Sequence, residues 1–264
     1  MSFFSFFLFL VLAGSLYAVI NAVKDSGANI KKTPKYIRPL SINVDAELTR
    51  NFPFYKYLSA VEKKHFVIRV KMFVTEKEFI GRKMVINDRQ KVLIAATAIQ
   101  LTFGFPPIIL KHFKKIILYP DKYTSTTTNL EHYGEVNTRG IIVLSWRYFE
   151  RSLKTETDGK NLGLHEMAHA LKLENTIKNG EYGFISKWLL GNLYQTSLRE
   201  MNKIRSGQNT FLRKYAAANE EEFFAVSVEY FFEKPIEFQA KVPELFILLT
   251  QILRQNPAVR SQKK

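Results

Sequence analysis

Residues 165–169 read His-Glu-Met-Ala-His, and this run has the residue types and the spacing needed to bind a metal ion. On a helix, positions i and i+4 lie one above the other on one face, so His165 and His169 can converge on one ion. Imidazole nitrogens bind zinc at about 2.0–2.1 Å. Glu166 projects beside the two rings, where its carboxylate can take a proton from a water activated by the ion. The motif therefore predicts a catalytic zinc site with Glu166 as general base.

The residues around this motif favour a helix with an apolar environment. Asn161 or Asp158 can cap the start of the helix, and the neighbours of the motif are mostly leucine, methionine and alanine. Such surroundings keep the ligands neutral and limit the access of water. The alternative is an exposed amphipathic helix whose His and Glu are ordinary surface residues.

A catalytic zinc ion needs a third protein ligand, and the composition restricts the choice. The chain has no Cys and five His, and no His follows His169. The third ligand is therefore a carboxylate or an upstream imidazole, from His65, His112 or His132. The segment 216–235 is a predicted helix rich in Phe, Ala and Val, and its acids include Glu220, Glu221, Glu222 and Glu229. Glu220 and Glu221 suit the first helical turn, where acids complement the helix dipole. Composition does not choose among the remaining candidates.

Hydrophobic patterning predicts a mostly helical α+β fold with one small sheet. Predicted helices lie at 44–59, at 60–78, from a cap at Asp88 to about 105, and over most of 155–255. Predicted strands lie at 115–119 and 141–146. The second strand is either a sheet edge that pairs with an extended substrate or an ordinary buried strand.

The first 23 residues predict one transmembrane helix. From Ser2 to Val23 the chain carries no charge, and 22 residues at about 1.5 Å each span a bilayer core of about 30 Å. Cleavage as a signal peptide is the alternative, although no Lys or Arg precedes the apolar core. Residues 24–40 resemble a basic tether, and 41–264 are interpreted as one domain. Because basic residues follow the span and none precede it, we expect a single-pass membrane protein with its domain in the cytoplasm.

The net charge of +15 indicates an anionic partner. The excess is concentrated in the tether and in the last eleven residues, which favours docking to an anionic lipid surface. Nucleic acid is an unlikely partner, because the sequence contains no recognisable nucleic-acid-binding module.

Four stretches are similar to the Mlc titration factor A family of zinc-dependent peptidases: LYP (118–120), GIIVLSW (140–146), DGKNLGLHEMAHAL (158–171) and YAAANEEEFFAVSVEYFF (215–232). The resemblance implies a gluzincin-like, zincin-type metallopeptidase domain that binds one Zn²⁺ per chain. By this resemblance Glu222 is the third metal ligand. Tyr215 is then the catalytic tyrosine, whose hydroxyl donates a hydrogen bond to the oxyanion. It also implies aminopeptidase-like action on short peptides.

The hypothesis is thus a membrane-anchored zinc metallopeptidase whose substrate is a peptide or protein. The alternative is a membrane-tethered regulatory protein that binds a transcription factor, such as a repressor, with peptidase activity secondary or lost. Glu229 is either a partner of a ligand His or an exposed acid. The other three His are interpreted as surface or structural residues, and Glu174 and Asn175 as helix-end residues.

Overall fold

Helices form most of the protein, together with a four-stranded sheet and a two-stranded hairpin. The computed structural model describes residues 37–125, 129–155, 157–208 and 211–261. Within these ranges the helices are α1 (Val44–Asn51), α2 (Pro53–Lys56), α3 (Ala60–Glu76), α4 (Asp88–Thr102), α5 (Trp146–Lys154), α6 (Leu162–Thr176), α7 (Lys187–Arg205), α8 (Glu220–Glu233), α9 (Pro235–Lys241), α10 (Pro243–Leu253) and α11 (Pro257–Ser261), with a 3-10 helix at Lys214–Ala217. The strands are β1 (Glu78–Gly81), β2 (Lys115–Tyr119), β3 (Tyr123–Thr124), β4 (Glu131–His132), β5 (Gly134–Asn137) and β6 (Ile141–Ser145). The predicted α+β class is confirmed.

The first predicted helices exist, but their boundaries differ from the prediction. The expected helix 44–59 is broken at Phe52, because Pro53 starts a new helix and disfavours the helical conformation in the residue before it. The expected helix 60–78 ends at Glu76, and 78–81 form β1. Asn87 caps α4 in place of Asp88: its side chain accepts a hydrogen bond from the Gln90 backbone amide, and its own backbone amide donates to the Gln90 side chain.

The main sheet has the strand order β1-β2-β6-β5, with β5 antiparallel and the other three strands parallel. The prediction of strand 115–119 is confirmed, and strand 141–146 ends at Ser145 because Trp146 already begins α5. Of the two alternatives for this second strand, the sheet edge is wrong and the buried strand is confirmed, because β6 lies between β2 and β5. The edge strands are β1 and β5, and the four residues of β5 carry too short an apolar pattern to be recognised in the sequence.

The two helices that carry the candidate ligands, α6 and α8, pack against each other, and α6 also packs against the buried helix α4. Asn161 caps α6 by accepting a hydrogen bond from the Leu164 amide. Gly163 permits close packing, because a Cβ atom there would lie 2.5 Å from the Phe149 ring. Asn219 caps α8 in the same way through the Glu222 amide. Both helices therefore have defined start points, which fixes the rotation of their side chains about the helix axes.

The predicted membrane helix 1–23 and most of the tether 24–40 lie outside the described residues. In the part of the chain that is described, no helix combines the length and the apolar character needed to cross a bilayer. Membrane anchoring and the domain boundaries remain predictions.

The carboxylate of Asp88 joins the residues before α1 to the first turn of α4, and we expect it to stabilise the fold. It accepts hydrogen bonds from Lys91 and from the backbone and hydroxyl of Ser41, which lower its pKa to about 2. This stabilisation is present above the pKa of an unfolded aspartate, about 3.9, and is lost as pH falls through about 2. Asp88→Asn should therefore lower the free energy of unfolding at pH 7 by about 1–2 kcal/mol in urea denaturation.

The difference between Asp88→Asn and the parent should shrink as pH falls from 5 to 2. Asp121→Asn is the control, because Asp121 pairs with Arg147 at an exposed position and should leave unfolding unchanged. Equal stability of the Asp88→Asn variant and the parent at pH 7 would contradict this assignment.

Candidate metal centre

Three side chains from α6 and α8 meet with their ligand atoms close together. His165 Nε2 lies 3.1 Å from His169 Nε2 and 3.0 Å from one oxygen of Glu222. The other Glu222 oxygen lies 3.7 Å from His169 Nε2. All three ligand atoms lie within 4.8 Å of one another, so one metal ion can contact all of them. The structure thus brings together the three residues that the sequence predicted as ligands.

The ligand atoms of His165, His169 and Glu222 are better satisfied by a metal ion than by hydrogen bonds to one another. One Glu222 carboxylate oxygen is buried and has no hydrogen-bond partner in the described structure, although His165 Nε2 is near. A buried polar atom without a partner is costly, and a cation would satisfy it. Two imidazoles and one carboxylate form a set found in catalytic zinc sites, where the fourth position stays open.

Glu229 sets the orientation of the first imidazole. This side chain is only 2% exposed, and its Oε1 lies 2.8 Å from His165 Nδ1. When Nδ1 keeps its proton and Nε2 gives up its own, the lone pair of Nε2 faces Glu222 and His169. The guanidinium of Arg213 donates a hydrogen bond to the same oxygen at 2.5 Å, and the backbone amide of Asn161 donates one to Oε2 at 2.5 Å. The sequence left two interpretations of Glu229 open, and the structure confirms that it is the partner of a ligand His.

The two imidazoles differ sharply in their affinity for protons. Burial opposes the charging of His165, but the Glu222 and Glu229 carboxylates that face its two ring nitrogens outweigh burial and raise its pKa to about 10. Burial and the charge of His165 lower the pKa of His169 to about 4. The two rings therefore share one positive charge, which His165 carries.

Glu166 follows His165 on α6, lies within electrostatic range of His165 and Glu222, and is 5% exposed. Burial raises its pKa to about 7, against the opposing attraction of His165. None of the described residues forms a hydrogen bond or an ion pair with this carboxylate. Its neighbour is Gly134 at the start of β5, where a Cβ atom would lie 2.4 Å from Glu166 Oε1. The edge strand thus approaches Glu166 as closely as a glycine allows.

Tyr215 lies on the 3-10 helix before α8, with its ring centroid 6.2 Å from that of His165. The side chain is 53% exposed, so it borders the open side of the site. Partial burial, and the charge and hydrogen bonding of Glu222, raise its pKa to about 12, which keeps the hydroxyl protonated. The structure places this residue beside the candidate ligands, in reach of the Glu222 carboxylate.

The other residues singled out in the sequence form contacts that stabilise the fold. Glu221 is exposed and pairs with Lys172 at 2.8 Å, as expected of a first-turn acid. His112 contacts the Thr138 carbonyl at 2.9 Å and is not near the ligands. Glu174 and Asn175 lie in the last turn of α6, which confirms them as helix-end residues, and the buried Glu174 carboxylate accepts a hydrogen bond from the His112 backbone amide.

Comparison of the sequence with protein families and with known proteins agrees with this geometry. The sequence matches the family model described as glucose-regulated metallo-peptidase M90 over residues 29–254. The chain belongs to the M90 metallopeptidase family. A Synechocystis sp. protein described as uncharacterized is 28% identical over 242 residues, covering 84% of this chain and 87% of that protein. Mlc titration factor A of Salmonella arizonae is 26% identical over 230 residues (79% and 89% coverage), and that of Edwardsiella ictaluri is 26% identical over 211 (74% and 78%).

Membership of the M90 family confirms the predicted resemblance and implies a bound metal ion. The group of His165, His169 and Glu222 is suited to hold it. Sequence reasoning missed Arg213 and Gly134, because neither lies at a motif spacing. Glu229 carried a usable signal: it follows Glu222 by seven residues, which places both acids on one face of α8.

Replacing Glu222 should abolish tight metal binding, whereas replacing its neighbour Glu221 should not. Glu222→Gln removes the negative ligand that balances the ion, but Glu221→Gln removes only an exposed pair with Lys172. Metal content after dialysis, measured by elemental analysis, should fall from about one ion per chain to near zero in the first variant. Equal metal content in both variants would contradict the assignment of Glu222.

Glu229→Gln should weaken metal binding without abolishing it. The amide keeps the shape of the side chain but no longer supports the Nδ1-protonated imidazole with a negative charge. Loss of such an orienting acid costs about 10–100-fold in metal affinity. Competition with a chromophoric chelator measures this change, and an unchanged affinity would show that Glu229 does not orient the ligand.

Proposed function

We propose that this M90 protein is a zinc-dependent peptidase that hydrolyses peptide bonds. The observation that carries the proposal is Glu166, a buried carboxylate beside the candidate ligands that no described residue pairs with. A buried acid with a purely structural role is normally hydrogen-bonded or paired. An unpaired one next to a metal centre is suited to proton transfer.

Zinc is the proposed metal, because two imidazoles and one carboxylate match the donor set of catalytic zinc sites. When bound, zinc supplies an acidified water molecule and a positive charge that polarises the peptide carbonyl. His165, His169 and Glu222 hold it, and Glu229 with Arg213 keeps His165 in the required orientation.

Glu166 and Tyr215 carry out the proton transfer and the stabilisation of charge. Glu166 accepts the proton of the attacking water and passes it to the leaving amine. The protonated hydroxyl of Tyr215 donates a hydrogen bond to the oxyanion that develops from the carbonyl. Its half-exposed position leaves room for a peptide on that side of the site. Gly134 keeps β5 clear of the Glu166 carboxylate.

The finer features of the proposal come from the sequence. Aminopeptidase-like action on short peptides follows from the resemblance to the Mlc titration factor A family. The apolar run before Val23 and the basic residues after it support a membrane anchor with the domain in the cytoplasm. The name of the Salmonella and Edwardsiella relatives refers to Mlc, so binding of a regulatory protein such as a repressor is the second candidate. The buried, unpaired Glu166 favours catalysis over a binding role, which would not need it.

Glu166→Gln should keep the metal and lose cleavage. The amide has the size of the acid but cannot accept the water proton, so kcat should fall by about 100-fold or more. Elemental analysis and hydrolysis of a peptide library by the zinc-loaded chain measure the two properties. A metal-replete variant that cleaves at the parent rate would rule out Glu166 as general base.

Gly134→Ala should impair cleavage while the fold and the metal are retained. The added methyl group meets the flexible end of Glu166, which can swing away at little cost to stability. A displacement of about 1 Å in a catalytic group costs about 100-fold in rate.

The control for this variant is Gly191→Ala on the exposed face of α7, where a Cβ atom meets nothing within 4 Å. That variant should retain full activity and gain slightly in stability, because alanine is the better helix former. Parent-like cleavage by Gly134→Ala would show that the close approach of β5 does not position Glu166.

A further inference from the structure

Helix α7 exposes large apolar side chains on the side that faces solvent. The residues that anchor its inner side are no more than 6% exposed: Leu193, Thr196, Ser197, Glu200, Met201 and Ile204. On the outer side Trp188 is 68% exposed, and Tyr194 and Leu198 are exposed as well. Single exposed apolar residues are common on protein surfaces, but a patch of them on one helix face marks an interaction surface.

Basic residues flank this patch along the outer face of α7. Tyr194 and Leu198 lie one helical turn apart. Lys187 precedes Tyr194 by seven residues, and Arg205 follows Leu198 by seven, which is two turns in each direction. Trp188 lies at the side of this row. The outer face of α7 thus has a cation near each end and apolar side chains between them.

The exposed charge of this face is positive. Glu200 is the only acid in the sequence of α7, and it is buried. The exposed Glu244 on the adjoining helix α10 is neutralised by Arg199. Lys187 and, on the neighbouring 3-10 helix, Lys214 form no ion pair with an acid of the described chain. The face therefore attracts an anionic partner.

We propose that the outer face of α7 docks on the anionic lipid surface of a membrane. Trp and Tyr favour the boundary between lipid and water, because their rings are apolar and carry one polar group. Lys and Arg beside such an apolar face are attracted to anionic headgroups. This inference goes beyond the peptidase function and needs no metal ion. It names the side of the domain that the proposed membrane anchor brings to the bilayer.

The length of chain between the apolar run and the domain allows this orientation. Thirteen residues separate Val23 from Ile37, the first described residue, and they can span at most about 45 Å. A compact domain of this size is about 45 Å across. A chain anchored at Val23 can therefore turn α7 towards the bilayer.

A second copy of the chain is the main alternative partner for this face. In a symmetric dimer the same surface meets itself, so Lys187 and Arg205 would face like charges, which weakens the contact. An anionic lipid surface matches both the apolar and the basic side chains of α7.

The test is quenching of the Trp188 fluorescence by lipids with brominated acyl chains, which act on an indole that enters the bilayer. The chain has two Trp residues, so the difference between the parent and Trp188→Phe gives the emission of Trp188 alone. The full chain is mixed with brominated vesicles of phosphatidylcholine, with or without phosphatidylglycerol. Trp188 should lose most of its emission in the anionic vesicles and little in the neutral ones. Raising the salt from about 0.1 M to 1 M shortens the Debye length from about 10 Å to about 3 Å and should restore part of the emission.

Reversal of two charges on this face tests the electrostatic part of the inference. Lys187→Glu combined with Lys214→Glu should restore the Trp188 emission in anionic vesicles, because the face then repels the headgroups. The matched control is Arg82→Glu combined with Lys83→Glu on the exposed loop between β1 and α4. It changes the net charge equally and should leave the quenching of Trp188 unchanged.

A second control reports how close any exposed side chain of the domain comes to the lipid. Val85 lies on the same loop and is 92% exposed, so Val85→Trp in the Trp188→Phe variant places an indole away from α7. This indole should remain bright in the brominated vesicles.

Quenching of Trp188 that is no greater than at position 85, or equal in both kinds of vesicle, overturns the inference. A doubled mass in light scattering without quenching would assign the face to a second copy of the chain, which also contradicts it. If the chain stays on the vesicles at high salt while Trp188 is unquenched, the anchor stands and this inference fails. If Trp188 is quenched but high salt releases the chain, this inference stands and the anchor fails.

Discussion

The carboxylate of Glu229 is the interaction on which the geometry of the metal centre depends. It extends from α8 and accepts hydrogen bonds from the Asn161 backbone amide at the start of α6, from His165 Nδ1 and from the Arg213 guanidinium. A buried carboxylate is costly unless it is fully hydrogen-bonded, and these donors meet that requirement. The same bonds fix the separation of the two helices and the tautomer of a ligand imidazole. The polar contact that permits burial of Glu229 thus also orients the metal site.

The helical repeat links this orienting acid to the metal ligand. Glu222 and Glu229 are seven residues apart, so they lie two turns apart on one face of α8. That face packs against α6, whose own repeat places His165 and His169 one turn apart. Glu221 lies to the side and pairs with Lys172. One helix pair therefore supplies the candidate ligands and the residue that orients one of them, and β5 closes over Glu166 through Gly134.

Local spacing explains what could be predicted from the sequence. The His165–His169 repeat, the Asn161 cap and strand 115–119 depend on neighbours within a few residues, and each has a recognisable pattern. The choice of Glu222 over nearby acids came from family resemblance, although its seven-residue spacing from Glu229 held the same information. Arg213 and Gly134 could not be found, because their roles arise from contacts across 16 and 32 positions of chain. The edge position of β5 likewise depends on strand order, which short apolar patterns do not encode.

The central claim is that His165, His169 and Glu222 hold one catalytic metal ion. Zinc K-edge X-ray absorption of the chain loaded with one equivalent of zinc tests it most directly, because it reports the ligand types and their distances. The account predicts a four-coordinate ion with two imidazole nitrogens at about 2.0–2.1 Å and two oxygens, one from Glu222 and one from water. A six-coordinate oxygen environment without imidazole scattering would contradict it.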